Sequence, residues 1–446
     1  MVNWICMAAM ALAGFLAFGI QDIRAASPAK PPQAGVQIDW PHFRFDDKHT
    51  GYQPFETTLS KDNIKFAGNT WQAQLGNPVY GSSPAVVNGV VYIGSSDGVL
   101  WAYPADGCGQ QLCTQPLWHS TYLAQILDGP AVANGIVYVG SQTDFNSNDG
   151  KLNAFAADGC GQAECAPLWQ GDAGTESILD SSPAVWNGLV FVGTFGGTVY
   201  AFNAEGCGKS LCKPVWYGQT GDHIESSPTI YKGTLFIGSN DGKMYAFKAK
   251  GCRRSPCKPL WTAQVGDVGD PVFFSTPAVS KGLVYINSQH ALAAFDAAGC
   301  GAGTCQPVWK AVDNLNFFDG SPAVAYGNVY VPLESGIAVY KAKGCGQQIC
   351  EKKWQLFASG SQAAIGSAPA VANHVVYAGR NTAEIIAWSA DPCGQQTCSE
   401  LWKGRTNNQV VDSSPTVVNG KIYIGSADNN FPQDISGRIY VYELQN

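Results

Sequence analysis

Charged residues are scarce in this sequence. Only 14% of the 446 residues are Asp, Glu, Lys or Arg, against about 25% in a typical soluble chain. Lys and Arg number 27 against 34 for Asp and Glu, which gives a net charge of −7. No basic cluster is present that could neutralise a row of phosphates, so we expect no nucleic-acid partner. Glycine, in contrast, is abundant at 51 residues, and that composition is typical of a turn-rich β-protein.

Basic residues are also missing from the start of the chain. No Lys or Arg precedes the apolar run from about residue 5 to 20, which is followed by the small residues Ala25, Ala26 and Ser27. This outline predicts a secretory signal peptide over residues 1–26, followed by a Pro-rich linker over residues 27–36. An uncleaved membrane anchor is the alternative, although the run is slightly short for a span of about 20 residues. We therefore expect a secreted or periplasmic protein with no transmembrane span in the mature chain.

Eight repeats follow, and their period decides the fold more firmly than chain length does. Each repeat contains a segment similar to "SSPAV", whose proline recurs every 45 to 53 residues. The eight prolines are Pro84, Pro130, Pro183, Pro228, Pro277, Pro322, Pro369 and Pro415.

Each repeat is predicted to form four strands. In the first repeat, "PAVV" and "VVYIGS" flank Asn88-Gly89, a dipeptide that favours a two-residue hairpin, and "VLWAY" alternates its side chains as a third strand. The fourth strand contains Trp118, whose counterparts are Trp169, Trp216, Trp261, Trp309, Trp354 and Trp402. Eight units of four strands predict an all-β fold, an eight-bladed β-propeller of four-stranded antiparallel blades.

The eighth repeat lacks a fourth strand and its tryptophan. The segment "NTWQAQLG" around Trp71 precedes the first repeat and matches the missing strand. We therefore predict that this N-terminal strand closes the ring, which hides the edges that an open sheet would expose, and that residues 37–446 form a single propeller domain. The eight tryptophans are expected to pack between blades rather than to contact a ligand.

Fourteen of the fifteen cysteines form seven pairs whose partners are five positions apart. The pairs are Cys108/Cys113, Cys160/Cys165, Cys207/Cys212, Cys252/Cys257, Cys300/Cys305, Cys345/Cys350 and Cys393/Cys398, and Cys6 lies in the predicted signal peptide. A structural zinc site needs four ligands on one ion, and pairs on successive blades are too far apart to converge. No Cys-x-x-Cys-His run occurs, which excludes covalent haem attachment. We predict disulfides in the outer hairpin of seven blades, formed in an oxidising compartment. Each is worth about 2 kcal/mol on the chain-entropy model, and together they are expected to stiffen the outer rim rather than hold the ring together.

The run "VVYIGSSDGVLWAYPADG…PLW" resembles the repeat of pyrroloquinoline-quinone-type (PQQ-like) propellers, and "DWPHFRFDDKHTGYQP" resembles the segment that leads into their first blade. The likeness spans roughly residues 39–446. It implies an eight-bladed ring, but the same repeat serves both quinoprotein dehydrogenases and non-enzymatic outer-membrane assembly proteins, so it does not fix an activity.

The enzymes of that family carry an adjacent cysteine pair beside the quinone, a calcium ion and a catalytic aspartate. This chain has no Cys-Cys dipeptide, no aspartate that matches the family's base and no haem domain. The sequence therefore favours a non-catalytic binding or assembly scaffold without a cofactor, which as a monomer takes a protein or small ligand at a propeller face. The alternative is a quinone- and calcium-dependent periplasmic dehydrogenase of alcohols or sugars.

Five carboxylates are predicted to share one mouth of the central channel, because they precede the repeat prolines by three positions, with one gap assumed in the second repeat. They are Asp180, Glu225, Asp319, Asp412 and Asp128. Two interpretations are open: each acid caps its own turn, or together they bind a metal cation or a basic patch of a partner.

Two further patterns carry less weight. The histidines His119, His223, His290 and His374 fall at different phases of different repeats, which favours surface or turn roles over a shared metal centre. The stretch "DFNSNDG", residues 144–150, has the oxygen-rich alternation of a calcium loop but lacks its glycine and its bidentate glutamate.

Overall fold

The computed structural model describes residues 37–142, 149–313, 320–360, 365–406, 413–427 and 436–445. The predicted signal peptide and linker lie outside the described residues, as does Cys6. Among the described residues, no helix is long and apolar enough to span a bilayer. Regular structure consists of strands and one 3₁₀ turn, η1 (Ile64–Phe66).

The strands follow one another with short turns, as the repeat predicts. In chain order they are β1 (Tyr52–Gln53), β2 (Ala67–Gln74), β3 (Ala85–Val87), β4 (Val90–Gly94), β5 (Leu100–Pro104), β6 (Leu112–Cys113), β7 (Trp118–Ser120), β8 (Ala131–Ala133), β9 (Ile136–Ser141), β10 (Lys151–Ala156), β11 (Glu164–Cys165), β12 (Trp169–Asp172), β13 (Ala184–Trp186), β14 (Leu189–Gly193), β15 (Thr198–Asn203), β16 (Leu211–Cys212), β17 (Trp216–Gln219), β18 (Thr229–Tyr231), β19 (Thr234–Ser239), β20 (Lys243–Lys248), β21 (Trp261–Gln264), β22 (Ala278–Ser280), β23 (Leu283–Asn287), β24 (Ala291–Asp296), β25 (Thr304–Cys305), β26 (Trp309–Val312), β27 (Ala323–Ala325), β28 (Asn328–Leu333), β29 (Gly336–Lys341), β30 (Trp354–Phe357), β31 (Ala370–Ala372), β32 (Val375–Arg380), β33 (Glu384–Ser389), β34 (Thr397–Cys398), β35 (Trp402–Arg405), β36 (Thr416–Val418), β37 (Lys421–Ala427) and β38 (Gly437–Leu444).

The described strands form eight sheets, which confirms the predicted eight-bladed propeller. From the channel outward the blades are β3-β4-β5-β7, β8-β9-β10-β12, β13-β14-β15-β17, β18-β19-β20-β21, β22-β23-β24-β26, β27-β28-β29-β30, β31-β32-β33-β35 and β36-β37-β38-β2. Within each blade the neighbouring strands are antiparallel, and the first turn has the positive backbone angles expected of Asn-Gly, with φ of 49° at Asn88 and 76° at Gly89. In the eighth blade, β2 pairs antiparallel with β38 from Ala67↔Leu444 to Gln74↔Arg438.

Apolar side chains fill the gaps between neighbouring blades, and at two of the gaps a tyrosine and a tryptophan both donate to one carbonyl of the next blade. The Tyr92 hydroxyl of β4 and the Trp118 indole nitrogen of β7 both donate to the carbonyl of Ala157 in the next blade, at 2.8 and 3.1 Å. The same double contact recurs at Ala342. Tryptophan therefore occupies one structural position, between blades, as the sequence predicts.

All seven disulfides form with the predicted partners, between the third and fourth strands of their blades. They are Cys108–Cys113, Cys160–Cys165, Cys207–Cys212, Cys252–Cys257, Cys300–Cys305, Cys345–Cys350 and Cys393–Cys398.

The cysteine loops do more than stiffen the rim, which corrects the role predicted for them, because each also contacts the preceding blade. In the first blade, β6 pairs in parallel with β2 of the eighth blade, and Gln72 N–H donates to the Gln111 carbonyl at 2.8 Å. Gly107 of the same loop, at φ +77°, lies so close to Trp71 that a Cβ there would be 2.9 Å from the indole.

Candidate functional site

The central channel is lined by the residues that lead into the innermost strands. At the third position before the repeat prolines stand Gly81, Leu127, Asp180, Glu225, Phe274 and Gly366, and all six line a cavity of about 50 Å³. The sequence alignment on the prolines therefore located the channel wall correctly for the residues that the structure describes. A cavity of this size holds about one or two water molecules.

Two of the five predicted acids reach this cavity. Asp180 and Glu225 line it, whereas Asp319 and Asp412 lie outside the described residues. Asp128 does not line the cavity, and Leu127 takes the place that the alignment gave to Asp128. The gap assumed in the second repeat was therefore wrong by one residue, and the idea of a common cation site remains a prediction that concerns the other four acids.

Asp128 instead replaces a serine of the repeat. In the first blade the Ser82 hydroxyl accepts the Gly94 N–H at 3.0 Å, and in the second blade the Asp128 carboxylate accepts the Gly140 N–H at 2.9 Å. Burial raises the pKa of Asp128 well above its ordinary value, and the nearby charge of Asp180 raises it further. This carboxyl therefore bonds the neighbouring strand β9 of its own blade.

Glu225 has a different environment at the mouth. Burial raises the pKa of this carboxyl, while a hydrogen bond from Asn240 and the charge of His223 lower it. One carboxylate oxygen of Glu225 is buried without a hydrogen-bond partner among the described residues. The mouth thus carries two carboxyl groups, one of them incompletely satisfied, and disfavours an anionic ligand.

The hydroxyl groups of the channel wall are occupied by bonds between blades. In six of the eight repeats, the residue before the proline donates its N–H to the hydroxyl of its counterpart in the next blade. Three of these bonds run from Gly129 to Ser182, from Ser182 to Ser227 and from Ser227 to Thr276, at 2.9 to 3.0 Å. The other three run from Thr276 to Ser321, from Ala368 to Ser414 and from Ser414 to Ser83. This explains the second serine of "SSP" as a structural group that joins neighbouring blades.

The opposite mouth is closed by the plug, which we define as residues 40–53. Backbone bonds tie it to the innermost strands of six blades: Trp40 to Val86, and the carbonyls of Pro41, Asp47, Lys48, Thr50 and Gly51 to the amides of Val132, Ile230, Val279, Val324 and Val371. Phe43 of the plug lines the 50 Å³ cavity. The plug therefore blocks the channel from one side.

Three charged or ionisable side chains are buried in the plug, and sequence reasoning missed them. The Arg44 guanidinium donates to the carbonyls of His49, Ser321 and Pro322. His49 is 0% exposed, and neither ring nitrogen has a hydrogen-bond partner among the described residues. Burial lowers the pKa of His42 to about 4 and that of His49 well below its ordinary value. The resemblance of this segment to a lead-in segment was the only available signal.

Exposed apolar side chains surround the acidic mouth. They lie on the mouth face, either in the loops that connect one blade to the next or strand two to strand three, or at the last residue of a fourth strand. They are Tyr80, Tyr122, Phe195, Val268, Phe274, Val312 and Phe357, and they are between 37% and 95% exposed. Large exposed apolar groups around a polar centre are typical of protein-binding surfaces.

Cys350 has the structural role that the sequence predicted for the cysteines, and it also lines a cavity. Its disulfide with Cys345 forms as predicted, and its N–H donates to the Lys310 carbonyl of the preceding blade at 2.8 Å. In addition, Cys350 lines a cavity of about 560 Å³ on the outer rim, which the sequence did not predict because it forms where the loop crosses to the neighbouring blade. Charged side chains such as Glu351 and Lys352 form part of the wall, whereas small-ligand sites are mostly apolar. We therefore do not assign a ligand to this cavity.

The histidines predicted to have surface or turn roles do not converge. His119 lies in β7, His223 stacks on Phe195 at 3.9 Å, and His374 stacks on Tyr326 at 4.1 Å. His290 bonds Asp270 at 2.9 Å beside a separate cavity of about 230 Å³. In the described part of the chain, no group of three His, Cys, Asp or Glu side chains is arranged to hold a metal; most of the predicted calcium loop, residues 143–148, lies outside it.

Comparisons with known proteins agree with the repeat. The family model described as outer membrane protein assembly factor BamB matches residues 160–343, and none of the curated proteins matches the chain in sequence.

Solved structures of similar fold include BamB from Moraxella catarrhalis, with a TM-score of 0.61 and 17% identity over 85% of this chain and 98% of that one. The quinohemoprotein alcohol dehydrogenase from Comamonas testosteroni has a TM-score of 0.66 and 15% identity over 91% of this chain and 80% of that one. At such identities the likeness concerns the fold alone. The chain is therefore similar to the PQQ-like β-propellers in its repeat and in its fold.

Proposed function

We propose that this protein is an exported, non-catalytic binding scaffold, and that its partner protein contacts the mouth face of the propeller. The observation that carries the proposal is the channel, which the plug and its Phe43 reduce to a cavity of about 50 Å³. Sites for cofactors and small ligands occupy about 300–1,000 Å³. The larger cavity beside Cys350 lies outside the channel, on the rim. The seven disulfides support export, because such bonds persist in oxidising compartments.

The residues at the mouth do not fit a pyrroloquinoline quinone. That cofactor is a tricarboxylate, and Asp180 and Glu225 would repel it. The neighbouring hydroxyls already accept backbone N–H groups of the preceding blade. We therefore derive no redox step for this chain, and we take the acidic group with its apolar surroundings as a surface for a partner that carries basic and apolar side chains.

A reconstitution assay tests the enzymatic alternative. The protein is incubated with pyrroloquinoline quinone and calcium, and quinone binding and dye-linked oxidation of alcohols and sugars are measured beside a quinohemoprotein alcohol dehydrogenase as positive control. We expect neither bound quinone nor dye reduction above the blank. Stoichiometric quinone binding with turnover would establish the dehydrogenase alternative.

Site-specific photocrosslinking in the intact cell envelope tests the binding face. A photoreactive amino acid is placed at Tyr122, which is 72% exposed on the mouth face, and in a matched control at Leu168, which is 56% exposed outside that face. We expect one discrete protein adduct from Tyr122 only. In an Asp180→Asn/Glu225→Gln background the adduct should weaken, because the carboxylates that attract the basic group are gone. Equal adducts from both positions would contradict the proposal.

The same double variant tests the metal interpretation of the acids. Calorimetry with calcium should give equal, negligible heats for the wild type and the Asp180→Asn/Glu225→Gln protein if the mouth binds a basic side chain rather than an ion. A saturable calcium heat that the double variant loses would assign a cation site to the mouth.

A further inference from the structure

The outer edge of almost every blade is covered by the cysteine loop of the next blade. Five loops add a short parallel strand to the fourth strand of the preceding blade: β6 to β2, β11 to β7, β16 to β12, β25 to β21 and β34 to β30. Two loops make a single parallel bridge, Gly218↔Cys257 and Lys310↔Ile349. These seven contacts protect seven of the eight outer strands.

The remaining outer strand is β35 in the seventh blade. Its loop would have to come from the eighth blade, but there the third strand, β38, ends near the end of the chain and the fourth strand, β2, arrives from the N-terminal side. The eighth blade therefore has no hairpin between these strands and no cysteine pair. Among the described residues no strand or bridge pairs with the outer edge of β35.

The backbone at this edge has an unused donor. In the sixth blade, Gln355 N–H donates to the Gln396 carbonyl of the covering loop at 2.8 Å, and in the fifth, Lys310 N–H donates to Gln348 at 2.8 Å. Lys403 occupies the same register position in β35, one residue after the tryptophan. No described group accepts a hydrogen bond from its N–H.

The indole beside this edge is also less covered than its counterparts. Trp402 is 8% exposed, whereas the other seven inter-blade tryptophans are 1–5% exposed. We call the interface between two neighbouring blades a seam. At six other seams a glycine of the cysteine loop lies on the indole, as Gly344 does on Trp309, where a Cβ would come within 2.7 Å. At Trp402, the indole nitrogen donates to the Ala67 carbonyl at 2.9 Å and η1 contacts β35, so the inner part of the seam is closed, while no described strand pairs with the outer backbone edge of β35.

We propose that the seam between the seventh and eighth blades binds an extended segment of a partner protein, which adds to the open edge of β35 in parallel, as the cysteine loops do at the other seams. The segment would accept the Lys403 N–H and place a small residue over Trp402. The exposed Arg405 favours a neutral or acidic segment over a basic one. Addition of a strand to a free edge is a common mode of peptide recognition. The seam is on the outer rim, so this inference does not depend on the mouth-face proposal.

A peptide copied from the chain's own first loop serves as the probe. The fluorescein-labelled peptide DGCGQQLCTQ, residues 106–115 with its disulfide closed, is titrated with the full protein, and anisotropy is measured. We expect saturable binding to one site. The control peptide carries Gly107→Val, whose side chain would clash with the indole, and should bind at least tenfold more weakly; the reduced peptide should also bind more weakly, because it is less preorganised.

Hydrogen exchange locates the bound peptide without a mutation. Exchange in residues 401–405 should slow when the peptide binds, whereas residues 353–357 of the already covered β30 should not change. A Lys403→Pro variant, which lacks the edge donor, should lose about tenfold in affinity, in line with one hydrogen bond, while Gln355→Pro, which disrupts a covered edge, should retain the peptide affinity if it folds.

Three results would overturn the inference: no saturable binding at millimolar peptide, equal affinity for the Gly107→Val peptide, or protection that appears at the mouth face instead of residues 401–405. Concentration-dependent dimerisation of the protein that the peptide competes away would assign the seam to a second copy of this chain rather than to a partner.

Discussion

Tyr138→Phe should destabilise the protein more than Tyr92→Phe, although both remove one hydroxyl from equivalent places in neighbouring blades. Both tyrosines are at most 2% exposed, and each donates to an alanine carbonyl of the next blade at 2.8 Å. The difference is in the acceptor. The Ala157 carbonyl also receives the Trp118 indole N–H at 3.1 Å, so it keeps one hydrogen bond when Tyr92 loses its hydroxyl.

The Ala204 carbonyl accepts the Tyr138 hydroxyl but receives no second hydrogen bond from the described residues. The indole nitrogen of Trp169, which is equivalent to Trp118, has no hydrogen-bond partner there. Loss of a hydrogen bond costs about 0.5–1.5 kcal/mol, and a buried group left unsatisfied costs about 1–3 kcal/mol. We therefore expect about 1 kcal/mol for Tyr92→Phe and about 2–3 kcal/mol for Tyr138→Phe.

Differential scanning calorimetry at one fixed scan rate can separate the two variants. At an unfolding entropy of about 2.1 cal/mol/K per residue, a chain of 446 residues shifts its Tm by about 1 °C per kcal/mol. Tyr138→Phe should therefore lower the Tm by about 2–3 °C, and Tyr92→Phe by about 1 °C. Equal shifts would refute the reasoning that the second donor on Ala157 matters.

Three further predictions concern the disulfides, the ring and the plug. Thiol titration of the denatured, unreduced protein without its signal peptide should find no free thiol, and replacement of Cys108 and Cys113 by Ser should cost about 2 kcal/mol in chemical denaturation; two or more reactive thiols would contradict the pairing. Deletion of the chain up to Gly76 should leave the eighth blade open and cause aggregation in light scattering, and a monomeric truncation with an unchanged Tm would mean that β2 does not close the ring. Folding lowers the pKa of His42 from 6.5 to about 4 and also lowers that of His49. The unfolded chain therefore takes up these protons first, so the free energy of unfolding is unaffected above pH 6.5 and decreases as the pH falls toward 4, by up to about 1.4 kcal/mol per pH unit and group. In pH-dependent denaturation, His49→Phe should lose less stability than the wild type over that range.

Local sequence patterns predicted most of the fold. The Asn-Gly turn at Asn88, the alternating strands and the repeated tryptophan each follow from interactions within a few residues, and the structure contains them at the predicted places. Contacts between blades were harder to predict, because the partners are about one repeat apart. The pairing of Leu112–Cys113 with β2 joins residues that no local pattern connects. The same is true of the rim cavity at Cys350, which two neighbouring blades line together.

The candidate site was likewise predicted only in part. The alignment on prolines found Asp180 and Glu225 at the channel, but it misplaced Asp128, because an aspartate and the repeat's serine can accept the same backbone N–H. The burial of His49 was unpredictable for a different reason. Only the path of the plug across the innermost strands places that ring away from water.

The eight seams of the ring should therefore differ in stability, and the seam between the seventh and eighth blades should open first. In a repeat protein each unit contacts only its neighbours, so the stability of each seam depends on local contacts. At seven seams a disulfide-closed loop adds backbone hydrogen bonds and covers an indole, while Trp402 lacks such a loop and is the most exposed of the eight tryptophans. Native-state hydrogen exchange should show lower protection in β35 than in β30, whose edge β34 covers. Because the loops act across a seam, reduction of the disulfides should bring the protection of β30 toward that of β35 and leave β35 nearly unchanged. If β35 is as protected as β30 before reduction, the loops do not determine the strength of the seams.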